Sequence, residues 1–302
     1  MEGLATAGTA VVTDSAADLP SQLAAAARIR VVPLSVRFGT EELRDGVDLS
    51  TEQFWDRLGR PGTPPPATAS PSPGLFRRTF EACFADGADA IVCPTIGSRL
   101  SATFQSATVA AAALPEREIH VIDTGSTSMA TGMPALLAAE LSAAGTPAAE
   151  IASRVRERLV DLDLFVALDT LEYLRRGGRL STPQAAIGAI LSVKPIITVR
   201  DGVVVVAERQ RTRSRARERV IELATARPLE RLAIMHTPSS PQAEVAEFRD
   251  RLVARVPGGI DPGRVTVALI GATTGPHLGP GMMGAVLLAR PGTGGAATAH
   301  SR

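Results

Sequence analysis

Residues 89–123 read DAIVCPTIGSRLSATFQSATVAAAALPEREIHVID, and this stretch decides the fold. It opens with a short apolar run, 89–94, that is typical of a buried strand. A helical pattern follows to about Leu114, and the run 118–123 predicts the next strand. Two strands joined by a helix indicate a parallel sheet with covering helices. Such sheets bind ligands in the loops at the carboxyl ends of their strands.

The same alternation extends toward the N-terminus. Residues 9–13 and 30–38 predict the first two strands, and Ser50 with Gln53 forms a capping box that opens a short helix. A Pro-rich loop, 60–72, comes next. Because a long loop inside a compact domain is more often functional than idle, we expect this loop to contribute to a site.

A further helix begins where this loop ends. Ser72 provides an N-cap and Pro73 occupies the first helical position. Phe76, Phe80 and Phe84 follow at a spacing of four residues, which places them on one helix face. We interpret these three side chains as core packing.

The pattern changes near residue 160. A strand at 164–168 precedes a short helix, 170–176, that Gly177 and Gly178 end in the manner of a helix C-cap. Asp201-Gly202 between β-branched runs indicates a hairpin within 196–208. Two more strands, 232–236 and 265–270, flank a helix at 241–256.

These patterns predict an α/β protein of two domains. The N-terminal domain, 8–160, is expected to carry a parallel sheet, and the C-terminal domain, 161–291, to be mixed α/β. The Gly/Ala-rich tail, 292–302, is expected to be disordered.

Composition excludes several classes of protein. The 302 residues are 45% apolar but only 3% aromatic, and their net charge of +1 is no footprint for nucleic acid. Arginine supplies nearly all the basic charge, since Lys194 is the single lysine. The basic run 209–219 is interpreted as the solvated face of a helix start.

Neither membrane insertion nor secretion is expected. Prolines and glycines break the uncharged stretch 265–289, which therefore indicates strand, loop and strand. The first ten residues lack the basic region of a signal peptide. Cys83 and Cys93 have no metal or close-pair spacing. A reduced, cytoplasmic protein without a membrane span is expected.

Cofactor motifs fail in this chain. Lys194 precedes a proline, so no P-loop is possible. Gly279, Gly281 and Gly284 form Gly-x-Gly-x-x-Gly, but no acidic residue follows them. The nucleophile elbow Gly-x-Ser-x-Gly is absent, and the four histidines have no metal-binding spacing. No cofactor and no metal are therefore expected.

Three segments combine small residues, hydroxyls and glycine, namely 67–73, 96–107 and 275–281. Hydroxyls and free N–H groups at a helix start suit an anion, although each hydroxyl alone is more often a helix cap. Thr68 differs because it precedes the cap at Ser72, so capping does not explain it.

The chain resembles the DegV family along nearly its whole length. The matching pieces are VTDSAADLP (12–20), DGVDLS (45–50), TASPS (68–72), SRLSATFQ (98–105), VID (121–123), LEYLRRGGRLS (171–181), SVKP (192–195) and HLGPG (277–281). Two sites depart from the family pattern. Residues 68–72 read TASPS where the family usually has Thr-Ser-Gln-Pro-Ser, and residues 100–104 read LSATF where it usually has Leu-Ser-Gly-Thr-Tyr, so that Ala102 replaces a glycine.

This resemblance implies a long-chain fatty acid in a buried apolar tunnel between the two domains. It implies a fatty-acid-binding set of Thr68, Ser98, Ser101, Arg179 and His277. Thr68 and Ser101 would hydrogen-bond the carboxylate, while Arg179 and His277 would lie near the head group. The resemblance also implies a partner, the catalytic subunit of a fatty acid kinase, which phosphorylates the carboxylate that this chain presents without catalysis of its own.

Other interpretations stay open at this point. Arg179 could form a salt bridge or bond the carbonyls at a helix end, and His277 could brace its loop. Asp14 and Ser15 are expected in a turn or pocket wall. A hydrolase could use Ser101 or Ser15 with His277 and Asp14. A third alternative is an interaction protein whose lipid is only structural.

Overall fold

The computed structural model describes residues 8–180 and 193–293. Its chain divides into two compact units: unit 1 ends at Glu157 and also contains Gly271–Pro276, and unit 2 contains the rest. The predicted boundary near residue 160 lies close to this division, but the assignment of Gly271–Pro276 to unit 1 has no signal in the sequence. Ser181, Ser192 and nearly all of the predicted tail lie outside the described residues.

Unit 1 is built on a parallel sheet with the strand order β2-β1-β6-β7. Its strands are β1 (Thr9–Asp14), β2 (Ile29–Val32), β3 (Ser35–Phe38), β4 (Glu41–Arg44), β5 (Pro66–Ala69), β6 (Ala90–Thr95) and β7 (Glu118–Asp123). Its helices are α1 (Ser21–Ala26), α2 (Thr51–Leu58), α3 (Pro73–Ala85), α4 (Thr103–Ala112), α5 (Met129–Ala143) and α6 (Ala148–Arg158), the last ending at the boundary.

Helices α3 and α4 pack against the parallel sheet, both at β6 and α4 also at β7. Every residue of β6 is buried, as expected for a central strand covered on both faces. Phe76 and Phe80 are fully buried against it, which confirms their core role, and Phe84 packs at the margin of the same cluster. The capping box at Ser50 and the cap at Ser72 are also confirmed.

A small antiparallel sheet, β4-β3-β5, was not predicted. The single strand predicted at 30–38 is wrong, because the chain there forms β2 in the parallel sheet and β3 in the small sheet. Pro33 between them has no N–H for a ladder, and the N–H of Leu34 donates to Ser15 Oγ at 3.0 Å. The Pro-rich loop is likewise not all loop, since it contains β5.

Unit 2 is built on a mixed sheet with the strand order β10-β9-β8-β13-β11-β12. Its strands are β8 (Leu162–Ala167), β9 (Lys194–Arg200), β10 (Val203–Gln210), β11 (Leu229–His236), β12 (Val265–Leu269) and β13 (Met283–Ala289). Its helices are α7 (Glu172–Arg176), α8 (Arg213–Ala224) and α9 (Gln242–Arg255), and α10 (Gly275–Leu278) begins in unit 1 and ends in unit 2.

Local signals in unit 2 were informative. Asp201 and Gly202 have φ angles of 50° and 72° and connect the antiparallel strands β9 and β10, which confirms the hairpin. Gly178 ends the α7 region with a φ of 67°. The uncharged stretch forms the two predicted strands, β12 and β13, but the segment predicted as a loop between them contains the short helix α10. No helix within the described ranges combines the length and apolar character needed to cross a membrane.

Candidate functional site

Thr68 lies on a strand and not in a loop. It sits on β5, where it pairs with Val36 of β3, and its side chain is half-buried. The antiparallel ladder fixes the backbone here, so the direction of the Thr68 side chain follows from the register of the strand. This placement explains why no helix cap accounts for the residue.

Ser101 precedes α4 but is not its N-cap. The N-cap position belongs to Ala102, which makes no side-chain cap bond. The Ser101 Oγ lies 2.8 Å from Thr103 Oγ1 and accepts from the Thr103 N–H only at 3.4 Å. Ala102 has a φ of −71°, which any residue adopts, so its own conformation does not require the family's glycine.

Two neighbouring loops at the carboxyl ends of β6 and β7 are tied together. Asp123 accepts hydrogen bonds from the N–H groups of Ser98 at 3.0 Å and Gly125 at 2.9 Å. The Gly97 N–H donates to the Ser126 carbonyl at 2.7 Å, and a Cβ on Gly97 would lie 2.8 Å from the Gly125 carbonyl carbon. Ser98 therefore anchors its loop through its backbone, and its side chain is exposed.

Buried carboxyl groups form a feature of unit 1 that the sequence patterns predict only in part. Asp14 has no exposed surface and accepts from the N–H groups of Ala16 at 3.0 Å and Ile96 at 2.8 Å. This contact confirms a turn role for Asp14 after β1. Burial raises the pKa of Asp14 to about 7, and the two N–H groups oppose that shift.

Asp18 and Asp45 belong to the same buried cluster and hold the segment Gly271–Pro276. Asp18 accepts from the Gly271 N–H at 2.9 Å, and Thr273 Oγ1 donates to Asp45 at 3.1 Å. Burial raises the pKa of Asp18 to about 7 and also raises the pKa of Asp45. Within the described part of the chain, no cationic side chain forms an ion pair with Asp14, Asp18 or Asp45. We call these three residues the acid cluster.

Arg179 and His277 lie together in unit 2. A Cβ on Gly177 would lie 2.1 Å from His277 Nδ1, so the imidazole packs directly on the glycine backbone. Burial, followed by the positive charge of Arg179, lowers the pKa of His277 to about 4, and its ring is neutral at pH 7. Arg179 donates to the Gly177 carbonyl at 2.6 Å, which is the helix-end bond that stood as an alternative role for this residue.

The structure also bears on the cofactor motifs. Gly279, Gly281 and Gly284 lead into the strand β13 and not into a helix, which removes the basis for a dinucleotide site. Across residues 8–180 and 193–293, no group of three histidines, cysteines or acidic residues is arranged to hold a metal ion.

Two α/β units, one with a parallel sheet and one with a mixed sheet, carry hydroxyls, an imidazole and a guanidinium as candidate ligand groups. Such groups suit a protein that binds an anion. The chain belongs to the DegV family, a family described as uncharacterised, whose sequence model it matches over residues 8–290.

Individual relatives agree with this assignment. A DegV domain-containing protein of Streptomyces coelicolor is 37% identical over 285 residues, which is 93% of this chain and 98% of that protein. A solved DegV family protein of Thermus thermophilus, described as binding fatty acid, is 31% identical, with a TM-score of 0.83 over 94% of this chain and 100% of that one. The fatty-acid-binding DegV of Bacillus subtilis is 31% identical, with a TM-score of 0.82 over the same shares of 94% and 100%.

Proposed function

We propose that this protein binds a long-chain fatty acid and presents its carboxylate to a separate kinase subunit, which converts it to an acyl phosphate. One observation carries the lipid-binding part. Two solved relatives, each 31% identical over 94% of this chain, are described as fatty-acid-binding proteins. The kinase step rests on the family resemblance of the site motifs.

The hydroxyls of unit 1 suit a carboxylate. Thr68 and Ser101 are both half-buried, and a partly desolvated carboxylate needs hydrogen-bond donors to offset the loss of water. The Ser98 side chain is exposed on the same loop as Ser101 and is available as a further donor. In this proposal Thr68 and Ser101 hold the head group.

Arg179 and His277 serve the transfer step in this proposal. A neutral imidazole can donate a hydrogen bond without adding charge, and the guanidinium of Arg179 supplies a permanent positive charge beside it. An acyl phosphate carries more negative charge than the fatty acid from which it forms. The pair therefore suits the product more than the free lipid, and its removal should affect turnover more than binding.

Lipid extraction tests the proposal directly. The purified protein is denatured and extracted, and the extract is analysed by mass spectrometry, with native mass spectrometry of the intact protein as a second measurement. We expect a fatty-acid mass in both. A protein that is purified without bound fatty acid and that also binds no added fatty acid contradicts the lipid-binding proposal.

Thr68→Val and Ser101→Ala are each expected to weaken fatty-acid affinity about tenfold or more, because each removes a hydrogen bond to a charged group worth roughly 1.5–3 kcal/mol. Thr108→Val is the matched control, since the Thr108 hydroxyl donates within α4 to the Phe104 carbonyl at 2.9 Å. Affinity is measured by titration and folding by melting temperature. Equal affinities in all variants would remove both hydroxyls from the site.

Arg179→Ala is expected to leave lipid binding largely intact and to lower acyl-phosphate formation several-fold in the presence of a cognate kinase subunit and Mg-ATP. Arg175→Ala is the control, because Arg175 is also exposed and lies on the adjacent helix α7. If turnover falls only as far as the folded fraction does, Arg179 is a structural residue. Acyl-phosphate formation by the isolated chain would overturn the carrier proposal.

The two alternatives predict different outcomes. A hydrolase would turn over acyl esters without a partner, whereas the contacts of Asp14 and Ser15 with backbone N–H groups favour structural roles for both residues. An interaction protein with a structural lipid would keep the same lipid bound when excess free fatty acid is added and removed repeatedly, and it would not support acyl-phosphate formation. Ester hydrolysis by the isolated wild-type chain, abolished in Ser101→Ala, would favour the hydrolase.

A further inference from the structure

A short segment after β8 runs alongside residues 277–281, which begin in the last residues of α10 and which we call the His277 loop, and both belong to unit 2. Gly177 contacts His277, as described above. Tyr173, four residues before Gly177, contacts Gly279, two residues after His277. A Cβ on Gly279 would lie 2.3 Å from Tyr173 Cδ2. Gly279 also has a φ of 71°, which favours glycine. The two chain segments therefore run in opposite directions with matched contacts.

A third contact continues this alignment. A Cβ on Gly281 would lie 2.2 Å from Asp169 Oδ2, so the carboxylate rests on the glycine backbone. From another direction, the Gly281 N–H donates to Thr237 Oγ1 at 3.0 Å and to Ser239 Oγ at 2.8 Å. The end of the His277 loop thus lies between one carboxylate, which packs against it, and two hydroxyls, which accept its N–H.

Asp169 is itself held in place by two cations. Lys194 Nζ donates to it at 3.0 Å, Arg213 Nε donates at 3.0 Å, and a second Arg213 nitrogen completes a two-point contact. Partial burial would raise the pKa of Asp169, but the hydrogen bonds from Arg213 and Lys194 hold it below its ordinary value. The side chain is 23% exposed and remains charged at neutral pH.

We infer that Asp169 is a positioning residue for His277: fixed by Lys194 and Arg213, it holds the loop 277–281 and thereby keeps the imidazole against Gly177. Asp169 acts through the loop and does not itself touch the lipid. The consequence for lipid transfer rests on the proposed function, but the position of the imidazole is a property of the lipid-free protein.

Asp169→Asn tests this inference, with Asp163→Asn as the matched control. Asp163 lies near the other end of β8, where it pairs with Leu287 of β13 and bonds Arg227. It is an ion-paired aspartate as Asp169 is, although it lies within the strand and Asp169 lies after it. The readout is the pKa of His277, measured by NMR titration of the imidazole proton and assigned with His277→Gln. Fatty-acid affinity and turnover with the kinase subunit are measured on the same variants.

The sign of the pKa change separates positioning from simple charge removal. Loss of a nearby negative charge would lower the pKa of His277 further, whereas release of the ring toward water raises it from about 4 toward its ordinary 6.5. We expect a rise of at least about half a unit in Asp169→Asn and no change in Asp163→Asn. An unchanged or lowered pKa in Asp169→Asn overturns the inference.

Lys194→Met provides a second variant if Asp169→Asn folds poorly. It removes one of the two cations that hold Asp169 and leaves the carboxylate in place, so a smaller rise in the His277 pKa is expected. No rise in a folded Lys194→Met protein counts against the inference. If the wild-type protein binds no fatty acid, the proposed function fails, yet the pKa measurements still decide whether Asp169 positions His277.

Discussion

Aspartates hold both ends of the stretch 271–281, each within its own unit, but in opposite electrostatic states. Asp18 of unit 1 accepts a hydrogen bond from Gly271 in a buried site where no cation among the described residues pairs with it, and burial raises its pKa to about 7. Asp169 of unit 2 rests on Gly281 and is paired with Lys194 and Arg213, which keep it ionised. An aspartate therefore contacts the backbone in both units. Asp18 does so as a desolvated hydrogen-bond acceptor, and Asp169 does so as a charged group that two cations hold in place.

This difference has consequences for substitution and for pH. A buried carboxyl without a cation has little freedom to move and gains a proton when the pH falls. A half-exposed ion pair can rearrange at small cost and loses strength when salt screens it. Three predictions test whether the contrast is real, beginning with the largest effect.

Gly271→Ala is expected to destabilise the protein by about 1–3 kcal/mol, because overpacking of a buried site costs about that much. Its Cβ would lie 2.7 Å from Asp18 Oδ1, the atom that the Gly271 N–H itself bonds. Gly74→Ala in α3 is the control, since its Cβ would approach no atom closer than 3.7 Å. Urea denaturation of both variants measures the difference, and equal midpoints would show that the acid cluster tolerates displacement.

The free energy of unfolding is expected to fall by about 1–2 kcal/mol between pH 6.5 and 8.5. Asp14 and Asp18 have folded pKa values of about 7 against an ordinary 3.8, so the folded state binds more protons and loses stability as pH rises through 7. His277 has a lowered pKa and contributes the opposite slope, but only between about 4 and 6.5, below this window.

Asp14→Asn with Asp18→Asn should flatten this profile, since neither amide titrates. Denaturation curves at four pH values on the wild type and the double variant provide the measurement. A wild-type profile that rises from pH 6.5 to 8.5 would mean that the two carboxyls are ionised in the folded protein and are stabilised by groups other than those described.

Asp169→Asn is expected to change the free energy of unfolding by less than about 1 kcal/mol, the range of partly exposed ion pairs. The wild-type advantage should shrink further in 1 M salt, where the Debye length is about 3 Å. Melting temperatures in low and high salt measure it. A loss of unfolding free energy as large as that of Gly271→Ala, and unaffected by salt, would show that Asp169 contributes as much to stability as the buried site of Asp18 does.

Local chemistry allowed much of the fold to be predicted. The capping box at Ser50, the Asp201-Gly202 hairpin and the helix end at Gly178 depend on residues close in sequence, and all three are confirmed. The small sheet β4-β3-β5 was missed because β4 is charged, β5 lies in a Pro-rich stretch, and their pairing depends on distant residues.

The site was predictable only in its residue types. The glycines before Arg179 made a bond to a helix end one of its alternative roles, and the structure contains that bond. The acid cluster was not anticipated as a whole, because aspartates are normally exposed and only tertiary folding shows that Asp18 and Asp45 face residues more than two hundred positions away. The contact of Asp169 with Gly281 could not be predicted from the sequence either, because it also joins residues that are far apart along the chain.

The chain has one tryptophan and one tyrosine, and each lies against this same stretch of backbone. A Cβ on Gly275 would lie 2.9 Å from Trp55 Cζ2 in unit 1, while Tyr173 covers Gly279 in unit 2. Unit 1 therefore contains the one tryptophan, and unit 2 contains the one tyrosine. Tryptophan emission reports the melting of unit 1 without any label, and the difference in absorbance between the wild type and a Tyr173→Phe variant reports unit 2. Coincident transitions at the two wavelengths would mean that the units unfold as one cooperative body, and separated transitions would give each unit a stability of its own.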